Sequence, residues 1–267
     1  MKKCLNHNNC FWREVSETLC FSDACGAYHA LSPLLHQLGI FSSYNGYTEL
    51  ISQLIEQQYE ACSRWPNTLV VGFASKDSVR ALLEIPATKN LEITFLDRCP
   101  TPVNQARKEF NSHANLHFLN ANIFEYAPMS RYDLILTDSL LRQFQIGEKR
   151  EILHRLARLL NTSGKAVFRE YVGTNNCDLK SFLASIDNTP SLLAWKTNAN
   201  DKCKMLFNRL LPSLKEYMGN VGGSYISWEL LVSDITNAHL AIDKTSVFCD
   251  KFGIIVCDKT NAEIDCE

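Results

Sequence analysis

A glycine at the end of an apolar run is the first residue in this chain whose position suggests chemistry. The run covers residues 69–73, and Ala74, Ser75 and a helical pattern follow it. Glycine permits positive φ and lets the backbone approach a ligand closely, so a turn at Gly72 is typical of sites that cradle a nucleotide-like cofactor. Such turns usually carry two or three glycines, whereas this one carries Gly72 alone.

An aspartate ends the next apolar run, which covers residues 91–96. The carboxylate of Asp97 could accept hydrogen bonds from both hydroxyls of a ribose. An isolated acid of this kind more often sits in a solvated turn or caps a helix, but the position downstream of the Gly72 turn favours ribose binding. Three more residues complete this group of candidate binding residues: Phe73 and Ala74 in the turn, and Arg98 at the same edge.

These residues require a sheet whose strands all end at one edge. Short apolar runs alternate with amphipathic helical patterns, which predicts a parallel sheet with helices on both faces. The clearest helix covers residues 148–160, and Gly164 is placed to end it. The five runs are residues 69–73, 91–96, 116–119, 132–137 and 166–169.

The last two apolar runs predict a different connection. Residues 244–249 and 252–257 are separated by two residues, which can join only antiparallel strands. The predicted fold is therefore a doubly wound α/β structure with a mostly parallel, seven-stranded sheet that ends in an antiparallel hairpin. Residues 1–64 are predicted to form an N-terminal helical cap. Residues 65–267 are predicted to form the sheet domain, with a helical insert at about 173–225.

Composition limits the possible partners. The chain has 267 residues, 46% of them hydrophobic, and a formal net charge of −2, which gives no electrostatic basis for binding nucleic acid or an anionic membrane. No apolar run approaches the roughly 20 residues that span a bilayer, and no secretory signal is visible. We expect a cytoplasmic protein without a nucleic-acid or membrane partner; its oligomeric state cannot be read from the sequence.

The 11 cysteines raise the question of metal binding. Their number is odd and the chain is long, so we expect most to be free thiols. The N-terminal region offers enough soft ligands for tetrahedral zinc, but their spacing matches no established pattern. We therefore expect unliganded thiols and no bound metal, with zinc as the alternative. These ligands are Cys4, His7, Cys10, Cys20, Cys25 and His29.

The order of elements from about residue 66 to 258 resembles the class I S-adenosylmethionine-dependent methyltransferases. Five parallel strands, a late helix and a terminal antiparallel hairpin are that family's arrangement. The resemblance implies an enzyme that uses S-adenosylmethionine to methylate a small-molecule acceptor. The stretches that match are residues 93–97, 120–123, 132–139 and 153–167.

The first loop departs from that family's pattern. The family has an acidic residue in the strand and a Gly-x-Gly-x-Gly turn, whereas this chain has Val70, Gly72, Ala74 and Lys76 at those positions. The acid would be a partner for the cofactor's ammonium group. Ser75 could cap the following helix and leave backbone N–H groups for the methionine carboxylate.

Other candidate residues follow the third, fourth and fifth strands. Asn122 stands where the family usually has an aspartate that accepts from the adenine amino group, and Ile123 would pack on the adenine, with a plain core position as the alternative. Asp138 and Ser139 leave the fourth strand where ligands of open α/β sheets bind, or they cap a helix near residue 140. Glu170 could act as a base toward a hydroxyl acceptor, with an ion pair as the alternative.

Two other functions remain open. Val70 and Lys76 are compatible with a catalytically inactive relative that uses the fold for binding or regulation. A nicotinamide-dependent dehydrogenase would also explain Gly72 and Asp97, but it requires glycine or alanine at Asp77 and does not predict the terminal hairpin. Four tyrosines are candidates to line the mouth of the site, with ordinary packing as the alternative for each: Tyr44, Tyr47, Tyr217 and Tyr225.

Overall fold

A computed structural model describes residues 19–20, 22–40, 45–73, 75–171, 186–221, 228–249 and 252–260. Several residues singled out above lie outside this part of the chain: Cys4, His7, Cys10, Tyr44, Ala74 and Tyr225. None of the described helices has both the length and the hydropathy needed to cross a membrane.

Seven strands and eight helices form the described structure. The strands are β1 (Thr68–Val71), β2 (Ile93–Asp97), β3 (Leu116–Asn120), β4 (Tyr132–Asp138), β5 (Leu160–Tyr171), β6 (Leu240–Cys249) and β7 (Phe252–Lys259). The helices are α1 (Asp23–Gln37), α2 (Asn45–Cys62), α3 (Lys76–Leu83), α4 (Pro100–Glu109), α5 (Ile146–Leu159), α6 (Pro190–Asn198), α7 (Asp201–Val221) and α8 (Trp228–Asn237). Short 3₁₀ turns cover Pro86–Asn90, Leu141–Gln143 and Ile186–Asn188.

All seven strands pair in one sheet of order β3-β2-β1-β4-β5-β7-β6. The pairs among β1 to β5 are parallel, while β7 runs antiparallel to both β5 and β6. The predicted doubly wound α/β sheet with a terminal antiparallel hairpin is therefore confirmed. The strand order reverses between β1 and β4, and open α/β sheets bind ligands at such a switch point.

Two hydrophobic clusters cover the two faces of the sheet, which explains why its central strands are apolar on both sides. The first contains α2, α3 and α4 residues such as Ile55, Val79 and Val103. The second contains α5 and α8 residues such as Leu153 and Ile235.

A third cluster lies among α1, α6 and α7, and includes Leu31, Leu192 and Phe207. The two described helices of the N-terminal region therefore pack differently: α2 packs on the sheet, whereas α1 packs on α7. The predicted domain boundary after residue 64 and the insert at about 173–225 stay predictions.

The predicted role of Gly164 is wrong. Helix α5 ends at Leu159, and β5 begins at Leu160, so Gly164 lies inside the strand. A Cβ atom at this position would approach the carbonyl oxygens of Asn161 and Tyr132 to 3.0 Å. The glycine is needed because the backbones come close where the β4–β5 register shifts, between Tyr132 and Leu134.

The described cysteines differ in their oxidation state. Cys20, Cys25, Cys62, Cys99 and Cys257 are free thiols, in line with the expectation for most of the cysteines. Cys203 is disulfide-bonded, so that expectation does not extend to it.

A buried carboxyl group joins β5 to the segment after β4. Glu170 is only 4% exposed, and its Oε1 accepts a hydrogen bond from the backbone N–H of Leu141 at 3.1 Å. Burial raises the pKa of Glu170 to about 8, assisted by Asp138, while the Leu141 N–H, Arg142 and Lys149 oppose the rise. The protonated carboxyl is therefore the form that the fold favours near neutral pH.

We expect Glu170→Gln to change the pH dependence of stability. Since the folded protein holds this proton more tightly than the unfolded chain, the free energy of unfolding should fall as pH rises from about 4.5 to 8, by up to about 1.4 kcal/mol per unit. Glutamine cannot ionise, so urea unfolding of the variant across that range should show a smaller decline. Equal declines would contradict the assignment, and Glu151→Gln on the exposed side of α5 is the control.

The hairpin provides a second prediction. A Cβ atom at Gly253 in β7 would lie 2.5 Å from the Trp228 ring of α8. We expect Gly253→Ala to lower the free energy of unfolding by about 1–3 kcal/mol through overpacking. Gly147→Ala in the first turn of α5 is the control, because nothing lies within 4 Å of its Cβ position. Equal unfolding free energies for the two variants would contradict the predicted clash.

Candidate functional site

The carboxyl ends of β1 and β2 bring the two main candidate residues together. Val71 pairs with Leu96, and the N–H of Gly72 donates to the carbonyl of Leu96 at 2.9 Å. Gly72 therefore lies beside Asp97 at one edge of the sheet. This edge adjoins β4, where the strand order reverses.

Gly72 cannot be replaced without strain. Its φ is +75°, a conformation that residues with a Cβ atom rarely adopt. A Cβ atom would also lie 2.7 Å from Cδ1 of Leu140, which follows β4 and packs over the turn. The single glycine of the loop thus stands where the backbone conformation requires one.

The start of α3 explains how the loop tolerates a lysine in place of a glycine. Ser75 caps the helix, and its hydroxyl accepts from the N–H of Asp77 at 3.2 Å. Lys76 is the first helical residue, and its ammonium lies 2.7 Å from the carboxylate of Glu109 on α4. The Lys76 side chain therefore points toward α4, away from the turn at Gly72.

The side chain of Asp97 is half-buried, and one of its two carboxylate oxygens already accepts a hydrogen bond. Its Oδ1 accepts from the N–H of Cys99 at 2.7 Å, and within the described residues Oδ2 accepts no hydrogen bond. Burial raises the pKa of Asp97 to about 7. Asn120 fixes the loop by donating to the carbonyls of Asp97 and Arg98 at 3.0 and 2.8 Å. The hydrogen bond from Cys99 corresponds to the alternative role of Asp97 as a turn residue. Its Oδ2 remains available to a ligand.

Two other candidates lie beside this edge, one in a loop and one in the core. The Arg98 guanidinium carbon lies 5.9 Å from the centre of the Phe144 ring. Phe73 is 1% exposed and packs edge-on against Phe95, with ring centres 5.3 Å apart. It therefore belongs to the aromatic core below the turn.

The turn after β3 holds the next pair. The Asn122 Oδ1 accepts from the N–H of Phe124 at 3.3 Å, and Ile123 is buried in the cluster that contains Leu96 and Leu141. Core packing was the alternative reading for Ile123, and its side chain does pack in the core.

A partly buried ion pair joins the ends of β4 and β5. Asp138 pairs with Arg169, whose guanidinium carbon lies 5.8 Å from the centre of the Tyr47 ring. Ser139 has a φ of +54°; its N–H donates to the Arg169 carbonyl at 2.7 Å, and its hydroxyl to Asp138 at 3.3 Å. The predicted helix near residue 140 is a 3₁₀ turn, Leu141–Gln143, which neither side chain caps.

Arg169 and Glu170 point to opposite faces of β5, as the strand period requires. Arg169 reaches Tyr47 of α2, whereas Glu170 reaches Leu141 and is covered there. A role for Glu170 as a base stays a prediction, since the carboxyl is enclosed in the present conformation.

Sequence reasoning missed most of the side chains that α1 and α7 bring to this edge. Tyr217, a predicted mouth residue, donates to Oε1 of Gln143 at 2.8 Å, and its ring centre lies 5.2 Å from that of Tyr28. Burial raises the pKa of Tyr28 to about 12, and Asp97 and Asp138 are among its charged neighbours. No local pattern marks Tyr28 or Gln143, because tertiary packing alone brings them here.

No family model matches the chain. A malonyl-(acyl-carrier protein) O-methyltransferase 1 from Ilyobacter polytropus is 26% identical over 98 residues, which is 37% of this chain and 36% of that protein. The chain thus aligns with little more than a third of the length of this relative.

Solved structures match over a larger part of the chain. The CurJ carbon methyltransferase has a TM-score of 0.59 at 15% identity, covering 90% of this chain and 61% of that chain. The 1,6-didemethyltoxoflavin-N1-methyltransferase of Burkholderia thailandensis, with bound 1,6-didemethyltoxoflavin and S-adenosylhomocysteine, has a TM-score of 0.55 at 12% identity and covers 90% and 86%. The chain therefore has the fold of the class I S-adenosylmethionine-dependent methyltransferases, the family that its sequence resembles.

Proposed function

We propose that the protein transfers a methyl group from S-adenosylmethionine to a small-molecule acceptor. The observation that carries the proposal is the position of Gly72 beside Asp97 at the strand-order reversal. A positive-φ turn and a half-buried acid at the ends of adjacent parallel strands are suited to holding a nucleoside. The bound S-adenosylhomocysteine and small-molecule substrate of the Burkholderia thailandensis enzyme support the same assignment.

The nucleoside end of the cofactor would contact Asp97 and the residues that follow β2 and β3. Oδ2 of Asp97 accepts no hydrogen bond within the described residues, so it would accept from the ribose hydroxyls. Asn122 would accept from the adenine amino group in place of the family's aspartate, since its amide oxygen is an equivalent acceptor. The side chain of Arg98 would border the base.

The methionine end requires a replacement for the acid that is missing at Val70. A recess beside Val70 is also bordered by Asp138 and by Tyr47 and Ser78 from the adjoining helices. We assign the ammonium group to Asp138, whose carboxylate Arg169 and Ser139 hold in place. The N-terminus of α3, capped by Ser75, would receive the methionine carboxylate through backbone N–H groups.

Methyl transfer needs little from catalytic side chains. When bound, S-adenosylmethionine supplies an activated methyl group on a sulfonium, whose departure as a neutral thioether requires no acid. The protein's task is then to position the acceptor in line and to exclude water. The Tyr28–Tyr217 pair over the sheet edge suits both tasks, because its aromatic faces are broad and its hydroxyls are polar.

The alternatives predict different ligands. The apolar Val70 supports a catalytically inactive relative as the alternative, whereas Lys76, the other departure behind it, is paired with Glu109 outside the turn. Absence of S-adenosylmethionine binding at millimolar concentration would support this alternative over the enzyme. A dehydrogenase is disfavoured by Asp77 at the start of α3 and by the terminal hairpin, and a fluorescence titration with reduced nicotinamide cofactor would test it directly.

We expect Asp97→Ala to weaken the binding of S-adenosylmethionine and S-adenosylhomocysteine. The variant loses a charged acceptor for the ribose hydroxyls, and hydrogen bonds to charged groups contribute enough for a loss of about 10- to 100-fold in affinity. Isothermal titration calorimetry would measure both dissociation constants. Asp97→Asn, which keeps one acceptor oxygen, should fall between Asp97→Ala and the unmodified protein.

Glu84→Ala provides the control, because this exposed acid lies at the far end of α3. Circular dichroism would establish that each variant remains folded. A folded Asp97→Ala protein that binds both compounds as tightly as the Glu84→Ala protein would show that the ribose contact is misassigned.

A further inference from the structure

Three thiols and an imidazole converge between α1 and the loop that follows β2. The ligand atoms of Cys20, Cys25, His29 and Cys99 all lie within 4.8 Å of one another. The Sγ atom of Cys99 is 3.8 Å from those of both Cys20 and Cys25. These separations are too long for disulfide bonds, so the sulfur atoms are close but not bonded.

The spacing agrees with a tetrahedral metal site. A tetrahedron with metal–sulfur bonds of about 2.3 Å has sulfur atoms about 3.8 Å apart. Both distances to the Cys99 sulfur have this value. Apolar packing of three thiols would not by itself place an imidazole nitrogen within 4.8 Å of all three sulfur atoms.

The local structure explains how the ligands meet. Cys25 and His29 are four residues apart on α1, so they share one face of the helix. Ser22 caps α1 by accepting from the N–H of Cys25 at 3.2 Å, and Cys20, two residues before this cap, has its sulfur near the other ligand atoms. Cys99 is the residue just before α4, where the helix dipole favours a thiolate.

The surroundings are those of an enclosed site. His29 and Cys99 are 6% and 4% exposed, and Cys20 and Cys25 are half-buried. The hydroxyl of Thr101, which is itself fully buried, lies 2.8 Å from Sγ of Cys20 and can support a coordinating thiolate.

We propose that Cys20, Cys25, His29 and Cys99 bind one structural zinc ion. Zinc is assigned because three thiolates and one imidazole form a closed tetrahedral set without an open position. The first three ligands were among those considered in the sequence, whereas Cys99 supplies the fourth from another element in place of Cys4, His7 or Cys10. The expectation of no metal is replaced by this proposal.

The zinc ion would join the cap to the cofactor edge. Cys99 lies two residues after Asp97 and donates its N–H to that carboxylate, while the other ligands belong to α1 and the residues before it. Bound zinc would therefore fix α1 and its Tyr28 over the sheet edge. Its role is structural and separate from the methyl transfer itself.

Metal analysis of the full chain tests this directly. The protein is produced with zinc in the medium and purified under reducing conditions without chelator. Inductively coupled plasma mass spectrometry should then find one zinc ion per chain. Cys99→Ser and His29→Ala should each lose most of it. Cys62→Ser is the matched control, because this free cysteine at the end of α2 is outside the cluster and its loss should leave the zinc content unchanged.

Cobalt substitution of the unmodified protein gives a second readout that does not depend on the folding of variants. Bound cobalt should show thiolate charge-transfer bands and the intense visible bands of tetrahedral coordination, and added zinc should abolish both. The proposal is overturned if the reduced protein takes up neither metal, if it contains iron or copper instead, or if Cys62→Ser loses zinc as Cys99→Ser does.

Discussion

The in-register pairing of β1 with β2 is the constraint on which the site depends. It places Gly72 beside Asp97, and the positive φ of Gly72 then turns the chain into α3 without a side chain over the edge. Leu140 packs where a Cβ would have been. Every assignment at the sheet edge, from the ribose contact to the methionine end, follows from this close approach of two strand ends.

The remaining charged groups support that edge from the neighbouring strands. Arg169 and Ser139 hold the Asp138 carboxylate beside the recess, so a residue of β4 can replace the acid that β1 lacks. Glu170, on the opposite face of β5, binds the backbone after β4 and keeps Leu141 in position. Helices α1 and α7 cover the edge, and the thiol–imidazole cluster connects α1 to the loop after Asp97.

Much of the fold could be predicted because its central strands are buried and the helices beside them are amphipathic. The apolar runs that end at Asp97 and Asp138 correspond to β2 and β4, and the two-residue connection before Phe252 required the antiparallel hairpin. Gly164 was misassigned because a glycine after a helical pattern resembles a helix end, whereas here close backbone approach in a strand requires it. Cys99 could not be grouped with Cys25, because only tertiary packing brings residues 74 positions apart together.

The structure of the protein soaked with S-adenosylhomocysteine tests the central claim most directly. The account predicts the nucleoside at the ends of β1 and β2, with both ribose hydroxyls within hydrogen-bonding distance of the Asp97 carboxylate and the backbone of Gly72 against the ligand. A ligand bound elsewhere, or an edge that stays closed by Tyr28 and Tyr217 under saturating ligand, would contradict it.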